Sequence, residues 1–252
     1  MRCYHEAQLH EENCFLTLTY DDEHLPEDGS LDLRHFQLFM KRFRKRCGEG
    51  IRFFHCGEYG SKHRRPHYHA IIFGYDFKDK KFFKMVNDYP LYTSVFLDSI
   101  WELGYSTIGD VTFQSAAYVA RYVTKKVTGE QAEKHYEVMD PETGEITRLK
   151  PEYCTMSRGS KKLRTGGIGK GWYERFKSDA YPSDFVIVDG VRIRPPRFYD
   201  GMLEVEDPNL LRRLKGSRKR RAKEHVEDQT DRRLRDREKV QLAKAELLKR
   251  EL

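Results

Sequence analysis

The sequence lacks the features of a membrane-spanning or disulfide-stabilised secreted protein. No apolar run approaches the roughly 20 residues that cross a bilayer, and the N-terminus lacks the charged-then-apolar pattern of a signal peptide. The cysteine count is odd and no C-x-x-C occurs; the five cysteines are Cys3, Cys14, Cys47, Cys56 and Cys154. We therefore expect reduced thiols and a cytosolic setting.

Two common nucleotide and metal signatures are also absent. Residues 167–170 (Gly-Ile-Gly-Lys) lack both the spacing and the Ser/Thr of the phosphate loop G-x-x-x-x-G-K-[ST]. His55, Cys56 and His63 do not have the spacing of a common zinc finger. We therefore expect no helicase motor within this chain and no structural zinc site.

The positive charge is concentrated near the C-terminus. The 252 residues include 47 Lys and Arg and 40 Asp and Glu. Residues 212–252 hold 16 basic and 8 acidic residues, which leaves 31 and 32 for residues 1–211. A neutral body with a basic tail favours nucleic acid or an acidic membrane surface as the tail's partner. The leucines of the tail keep no heptad, which predicts a solvated helix or a segment that folds on binding.

Hydrophobic periodicity predicts an α+β fold. Runs of β-branched and aromatic residues predict strands at 14–20, 51–58, 67–73 and 104–111. A helical period predicts helices at 33–47, 91–103 and 114–126. Residues 75–90 are expected to be a loop with some helix, and 185–193 a hairpin turning at Asp189-Gly190.

The same patterns predict four segments along the chain. An N-terminal arm, polar and loose, covers 1–13, and the main domain covers 14–180. A hairpin extension follows at 181–206, and the basic charged tail, helical or disordered, covers 207–252.

Two histidines in the third predicted strand are candidate metal ligands. Side chains alternate along a strand, so His67 and His69 share one face and Tyr68 points to the other. Glu58 closes the preceding strand, and a hairpin between the two strands would bring its carboxylate near both imidazoles. One carboxylate and two imidazoles with open positions suit Mn²⁺ or Mg²⁺ holding a phosphate. Taken singly, each residue also fits an ordinary half-buried strand.

Two tyrosines on the last predicted helix of the main domain are candidate nucleophiles. Tyr118 and Tyr122 are four residues apart and share a helix face, with Lys125 and Lys126 on the next turn. A tyrosine hydroxyl can attack phosphorus, but with an ordinary pKa of about 10 it needs a neighbouring cation or metal. Aromatic residues at this spacing also pack in cores, so the pattern alone leaves both roles open.

Three stretches in this order resemble the three motifs of the rolling-circle replication initiators, the HUH endonucleases. They are Phe-Leu-Thr-Leu-Thr-Tyr at 15–20, Arg-Pro-His-Tyr-His-Ala at 65–70 and Tyr-Val-Ala-Arg-Tyr-Val-Thr-Lys-Lys at 118–126. The paired tyrosines resemble the two-tyrosine branch, and short flanks at 56–60, 106–111 and 167–172 are similar to the gokushovirus type. The resemblance covers roughly residues 14–175. The sequence differs from the family pattern at Tyr68, where the family has a bulky hydrophobic residue.

The resemblance implies a fold and an activity. The fold is a central antiparallel sheet with flanking helices. The activity is metal-dependent nicking and joining of single-stranded DNA at a phage replication origin, through a 5′-phosphotyrosyl intermediate. The implied cofactor is Mg²⁺ or Mn²⁺. The implied partners are origin single strand, a host helicase and a host DNA polymerase, without a membrane, in the cytoplasm of a bacterial host.

The resemblance also assigns residues to roles. Glu58, His67 and His69 would hold the ion; Tyr122 would attack first, with Tyr118 as its partner. Lys125 and Lys126 would offset negative charge at the reacting phosphate. Basic residues that could contact DNA phosphates are Lys62, Arg64, Arg65, Arg121, Lys161, Lys162 and Arg164.

Three other functions fit parts of the sequence. A one-tyrosine HUH transposase or relaxase would use Tyr122 and keep Tyr118 as core packing. A non-catalytic protein could retain the fold and bind single-stranded DNA. A metal-dependent phosphodiesterase would use water as the nucleophile and form no protein–DNA bond.

Overall fold

The computed structural model describes residues 1–60, 63–86, 88–121, 126–139, 144–162 and 165–247. The chain divides into two compact units, residues 1–171 and 172–252. Among the described residues, no helix is both long enough and apolar enough to cross a bilayer.

A seven-stranded antiparallel sheet forms the centre of the first unit. Strands of this unit are β1 (Asn13–Tyr20), β2 (Arg52–Tyr59), β3 (Pro66–Phe73), β4 (Lys81–Val86), β5 (Tyr89–Thr93), β6 (Gly104–Gly109), β7 (Glu137–Met139), β8 (Ile146–Arg148) and β9 (Tyr153–Met156). The large sheet has the order β4-β5-β6-β1-β3-β2-β9, and β7 pairs with β8 separately. Helices of this unit are α1 (Arg2–Ala7), α2 (Leu33–Cys47), α3 (Val95–Trp101), α4 (Phe113–Arg121) and α5 (Gln131–Tyr136). The predicted α+β class with a central antiparallel sheet is confirmed.

The histidine strand β3 lies inside the sheet, between β1 and β2. His67 is directly opposite Thr19 on β1 and Glu58 on β2, and His69 is opposite Thr17. Residues directly opposite each other project on the same side of a sheet. The two histidines, Glu58 and both threonines therefore share one face, which we call the histidine face.

The other face of the sheet carries the main apolar core, against α2 and α3. Asp32 begins α2 as its N-cap and accepts a hydrogen bond from the Arg34 backbone N–H at 2.7 Å. The buried stripe of α2 consists of Phe36, Phe39, Met40 and Phe43. It joins Leu16, Leu18, Ala70, Ile72 and Trp101 in one cluster. The helix from 33 to 47 is confirmed.

Tyr68 connects the histidine strand to the start of α2. Its side chain is fully buried on the α2 face, and burial raises its pKa to about 12. Its hydroxyl lies 2.7 Å from the Tyr20 hydroxyl and donates to the Asp32 carbonyl at 2.7 Å. It also accepts from the Asp32 N–H at 3.0 Å. The tyrosine that departs from the family pattern thus fixes the N-terminus of α2 to β3.

The prediction of a loose N-terminal segment is wrong for residues 2–7, which form α1. Glu6 of α1 is fully buried. Arg52 lies 2.8 Å from one of its carboxylate oxygens, and the Gly169 N–H donates to the other at 2.6 Å. A buried, paired carboxylate fixes this segment in place, because leaving the charge unpaired inside the protein would be costly.

The loop predicted over 75–90 is wrong where Lys81–Val86 and Tyr89–Thr93 pair as the antiparallel strands β4 and β5. A bulge at Phe82/Lys84 shifts the register within this hairpin. Such a bulge breaks the period of two by which strands are recognised. The predicted helix 91–103 is correct only from Val95 to Trp101.

The remaining predictions for the first unit have mixed outcomes. Strands β1, β2, β3 and β6 lie where they were predicted. The helix predicted over 114–126 is confirmed as α4 up to Arg121, and residues 122–125 lie outside the described residues. Strand β9, the sheet's edge next to β2, was not predicted.

The second unit consists of helices and one hairpin. Its elements are α6 (Lys170–Ala180), which includes the boundary, β10 (Val186–Val188), β11 (Val191–Ile193), α7 (Arg197–Glu206), α8 (Pro208–Lys223), a 3₁₀ helix (Val226–Gln229) and α9 (Asp231–Leu247). The predicted hairpin is confirmed, with positive φ at both Asp189 and Gly190. The boundary between the units lies inside the predicted main domain 14–180, and the predicted domain bounds stay a prediction.

The basic tail begins as packed structure. Arg218 of α8 lies 2.7 Å from an Asp200 oxygen and 2.9 Å from an Asp184 oxygen, and both carboxylates are buried. Leu211 and Leu214 of the same helix are buried as well. Most of the tail's described residues, up to Leu247, are helical, and α8 is held to its own unit by apolar contacts and a buried ion-pair network.

Candidate metal and nucleic-acid site

Glu58, His67 and His69 converge on the histidine face as a group that could hold a metal ion. Glu58 Oε1 lies 2.9 Å from His67 Nε2 and 3.1 Å from His69 Nε2. The side chains of Glu58 and His69 are each 3% exposed, whereas that of His67 is 17% exposed. The cluster is therefore buried on one side and reachable from solvent on the His67 side.

The protonation of His67 decides what can lie between it and Glu58. Its Nδ1 is 3.1 Å from the Arg65 carbonyl oxygen, which can only accept, so Nδ1 carries a proton. In the neutral ring the Nε2 atom then presents a lone pair to the Glu58 carboxylate. Burial raises the pKa of Glu58, but when Nε2 of each histidine carries a proton, hydrogen bonds to the carboxylate outweigh burial and hold that pKa well below its usual value. A lone pair facing a carboxylate requires a proton or a cation between them.

The donor atoms fit a divalent cation. Two ligands at right angles, each about 2.1 Å from one ion, lie about 3.0 Å apart, close to the two distances measured here. Thr17 Oγ1 is 3.0 Å from His69 Nδ1, so a hydroxyl orients this ring from behind, as in many metal sites. Thr17 had no role in the sequence prediction, although alternation along β1 places it on the histidine face.

Helix α4 brings a tyrosine to the cluster. The Tyr118 ring is buried and packs edge-on against the His69 ring, with centroids 5.2 Å apart. It also packs edge-on against Phe15 at 6.2 Å, and the Arg121 guanidinium lies 5.8 Å from its ring centroid. Tyr118 is therefore in contact with a candidate metal ligand while also packing on the sheet.

Several predicted site residues lie outside the described residues. They are Lys62, Tyr122, Lys125 and Arg164. Lys126, which follows this gap, and Lys161 are exposed. The roles of all six residues stay predictions.

Three of the predicted DNA-contacting residues already have partners within the protein. Arg65 lies 2.7 Å from Asp22 and donates to the Tyr20 carbonyl at 2.9 Å. Arg64 donates to the His135 carbonyl at 2.9 Å, and Lys162 forms an ion pair with Glu49 at 2.6 Å. These contacts hold the loops that carry the three residues, and the predicted DNA contacts remain predictions.

The net charge of the tail lies within α8. Residues 212–223 contain eight Lys and Arg and no acid, whereas residues 224–252 contain eight of each sign. Arg218, Arg221 and Lys215 have carboxylate partners in their own unit. Arg213, Lys219, Arg220 and Lys223 are exposed. One helix, not the whole tail, is therefore the basic segment.

The fold and the cluster define an α+β protein with a candidate metal site on one face of its central sheet. Residues 13–127 match the model of a protein family, the replication-associated proteins of the ORF2 type. That range contains β1 to β6 and α4, and so includes every residue of the metal cluster.

Three curated phage and virus proteins are similar to this chain. "Replication-associated protein VP4" of Bdellovibrio phage phiMH2K is 32% identical over 240 residues, 91% of this chain and 70% of that protein. "Replication-associated protein ORF2" of Spiroplasma virus 4 is 33% identical, over 84% of this chain and 64% of that protein. "Replication-associated protein ORF4" of Chlamydia phage 1 is 31% identical, over 79% and 47%. The chain spans less than two thirds of the length of the Spiroplasma virus 4 and Chlamydia phage 1 proteins.

The chain belongs to this family of replication-associated proteins. No solved structure matches it.

Proposed function

We propose that this protein is a replication initiator that nicks and rejoins single-stranded DNA at a phage origin, and so starts rolling-circle replication. The observation that carries the proposal is the Glu58, His67 and His69 cluster with Tyr118 packed against it. Family membership supports a role in replication. The order of the three motifs, which resembles that of the HUH endonucleases, supports the reaction type.

Glu58, His67 and His69 would hold Mg²⁺ or Mn²⁺. A divalent ion bound there supplies positive charge for a non-bridging oxygen of the scissile phosphate. His67, the most exposed of the three ligands, faces the side from which DNA would enter. Arg121 at the end of α4 would help to hold the phosphate backbone beside Tyr118.

Tyr122 is the proposed first nucleophile. Its hydroxyl gives up a proton as the oxygen forms a bond to phosphorus. The bond to the 3′ oxygen breaks at the same time, and the departing oxygen takes up a proton to become a free 3′-OH. Lys125 and Lys126 would stabilise the developing negative charge. The product is a 5′-phosphotyrosyl ester, and because the ester is exchanged instead of hydrolysed, the step needs no ATP.

Tyr118 would act in the second half of the cycle. A host polymerase extends the 3′-OH, and a host helicase opens the duplex, in the cytoplasm of a bacterial host. Tyr118 then cuts the regenerated site. The 3′-OH released in this way attacks the first phosphotyrosine, which closes a circle and frees Tyr122.

A covalent-adduct experiment tests the proposal. The protein is incubated with Mn²⁺ and tiled single-stranded oligonucleotides from the genome that encodes it, and products are separated on a denaturing gel. We expect a slower band on one oligonucleotide, lost in Tyr122→Phe and kept in Tyr89→Phe, which changes an exposed tyrosine of β5. Absence of an adduct on every oligonucleotide, with Mn²⁺ and with Mg²⁺, contradicts the proposal.

The same gel distinguishes the alternative functions. Free 5′-phosphate ends without an adduct favour water as the nucleophile. A Tyr118→Phe protein that cleaves and rejoins as well as the unchanged protein favours a one-tyrosine enzyme. Binding without any cleavage favours a non-catalytic DNA-binding protein.

A further inference from the structure

An exposed tyrosine lies beside the metal cluster on the histidine face. Thr19 of β1 is opposite His67 on one side and Tyr105 of β6 on the other. Neighbouring strands are about 4.8 Å apart, so the Cα atoms of Tyr105 and His67 are about 10 Å apart. Tyr105 is 71% exposed, although it is a large aromatic residue on a strand that lies between β5 and β1.

From Tyr105 to the sheet edge at β4, the histidine face carries polar residues. Thr107 of β6 is opposite Thr17, and Thr93 of β5 is opposite Lys81 of β4. Tyr92, which precedes Thr93, packs against the apolar core on the other side, so Thr93 and Lys81 belong to the histidine face. We call Tyr105, Thr107, Thr93 and Lys81 the open strip. Both threonines are half-buried and Lys81 is exposed.

The chemistry of the open strip fits single-stranded nucleic acid. An exposed aromatic ring can stack on any base, and hydroxyl and ammonium groups can contact sugar and phosphate. A duplex keeps its bases stacked on each other and presents none to Tyr105. A protein partner would require a wider apolar patch, whereas this strip has one aromatic ring among polar side chains.

We propose that Tyr105 stacks on a base of the single-stranded DNA whose neighbouring phosphate lies at the metal cluster, and that the open strip guides the strand toward β4. The assignment of the cluster as a phosphate site rests on the proposed function. Tyr105 is thus a positioning residue for the strand and takes no part in bond exchange.

A binding measurement without metal tests this inference apart from catalysis. The probe is fluorescein-labelled (dT)₂₀, and its anisotropy is followed during titration with the full chain in EDTA. Tyr105→Ala should raise Kd about 5- to 150-fold, the usual range for loss of one stacked base. Tyr105→Phe keeps the ring and should change Kd less than about twofold. Since the side chain is exposed, neither variant should alter folding.

Phe82→Ala is the matched control. Phe82 is 61% exposed and is opposite Tyr92, so it projects on the face away from the metal cluster. It should bind (dT)₂₀ like the unchanged protein. Equal loss of affinity in Phe82→Ala and Tyr105→Ala would indicate a general surface effect and overturn the inference.

The outcomes separate this inference from the proposed function. Unchanged affinity in Tyr105→Ala, or no binding of (dT)₂₀ by the unchanged protein, overturns the inference even if adducts form. A chain that never forms an adduct, yet binds (dT)₂₀ through Tyr105, overturns the proposed nicking activity and leaves the stacking role supported.

Discussion

Removal of one hydroxyl in Tyr68→Phe should destabilise the protein without affecting metal binding. The ring stays, so apolar packing is unchanged. The Tyr20 hydroxyl keeps His35 Nδ1 as a partner at 2.7 Å, and the Asp32 carbonyl keeps the His35 N–H at 3.2 Å. The Asp32 N–H, however, loses the oxygen to which it donates. Leaving a buried donor without a partner costs about 1–3 kcal/mol. We expect a loss of about 2 kcal/mol, which lowers Tm by about 4–8 °C in a protein of this size.

Urea unfolding followed by circular dichroism measures the loss of stability, and calorimetric titration with Mn²⁺ measures the metal affinity. Tyr105→Phe removes the same group from an exposed ring, so its unfolding free energy should change by less than about 0.5 kcal/mol. If Tyr68→Phe is as stable as the unchanged protein, the hydroxyl does not hold α2 to β3. If its Mn²⁺ affinity falls while Tyr105→Phe keeps full affinity, the two faces of β3 are not independent.

Three further predictions concern the metal site, the response to acid and the basic helix. Thr17→Val removes the hydroxyl behind the imidazole of His69, a candidate metal ligand, and should weaken Mn²⁺ binding about 10- to 100-fold in calorimetry; unchanged affinity would exclude this role. Burial lowers the pKa of His55 to about 3, whereas its pKa in the unfolded chain is about 6.5. Between pH values of about 6.5 and 3, the unfolded chain therefore binds a proton at His55 that the folded protein does not. Stability should therefore fall by up to about 1.4 kcal/mol per pH unit as pH falls through this range, and urea midpoints should show a shallower fall in His55→Phe. Arg220→Ala in α8 should reduce the salt slope of (dT)₂₀ binding by about 0.7. Arg235→Ala, in the segment 224–252 where basic and acidic residues are equal in number, should change the slope less; equal slopes in both variants would contradict a local basic segment.

The cluster of Glu58, His67 and His69 was predictable because it depends only on the alternation of side chains along a strand and on the pairing of two neighbouring strands. Alternation along β3 placed His67 and His69 on one face, and a short link to β2 made an antiparallel hairpin the simplest connection. Such a hairpin was expected to bring Glu58 near both imidazoles, and the register places it opposite His67. No long-range information was needed, since all three residues belong to neighbouring strands of one hairpin.

Features that depend on distant contacts were not predictable. Glu6 is polar and its segment looks solvated in sequence, yet it is buried by Arg52 and Gly169, which are far along the chain. Tyr105 is on a predicted strand, but its exposure depends on which elements cover each face of the finished sheet. In the same way, the bulge at Phe82/Lys84 interrupts the alternation that would have indicated the pairing of β4 with β5.

The bulged strand β4 has a consequence for the solution behaviour of the protein. It is the last strand on one side of the sheet, and it exposes Phe82, Phe83 and Met85. An apolar edge of this kind can recruit a strand from a second molecule and so begin aggregation. The bulge interrupts the regular spacing that an incoming strand needs, and Lys81 and Lys84 would bring charge into the new contact. The bulge and the two lysines therefore disfavour pairing of this exposed aromatic edge with a strand of a second molecule.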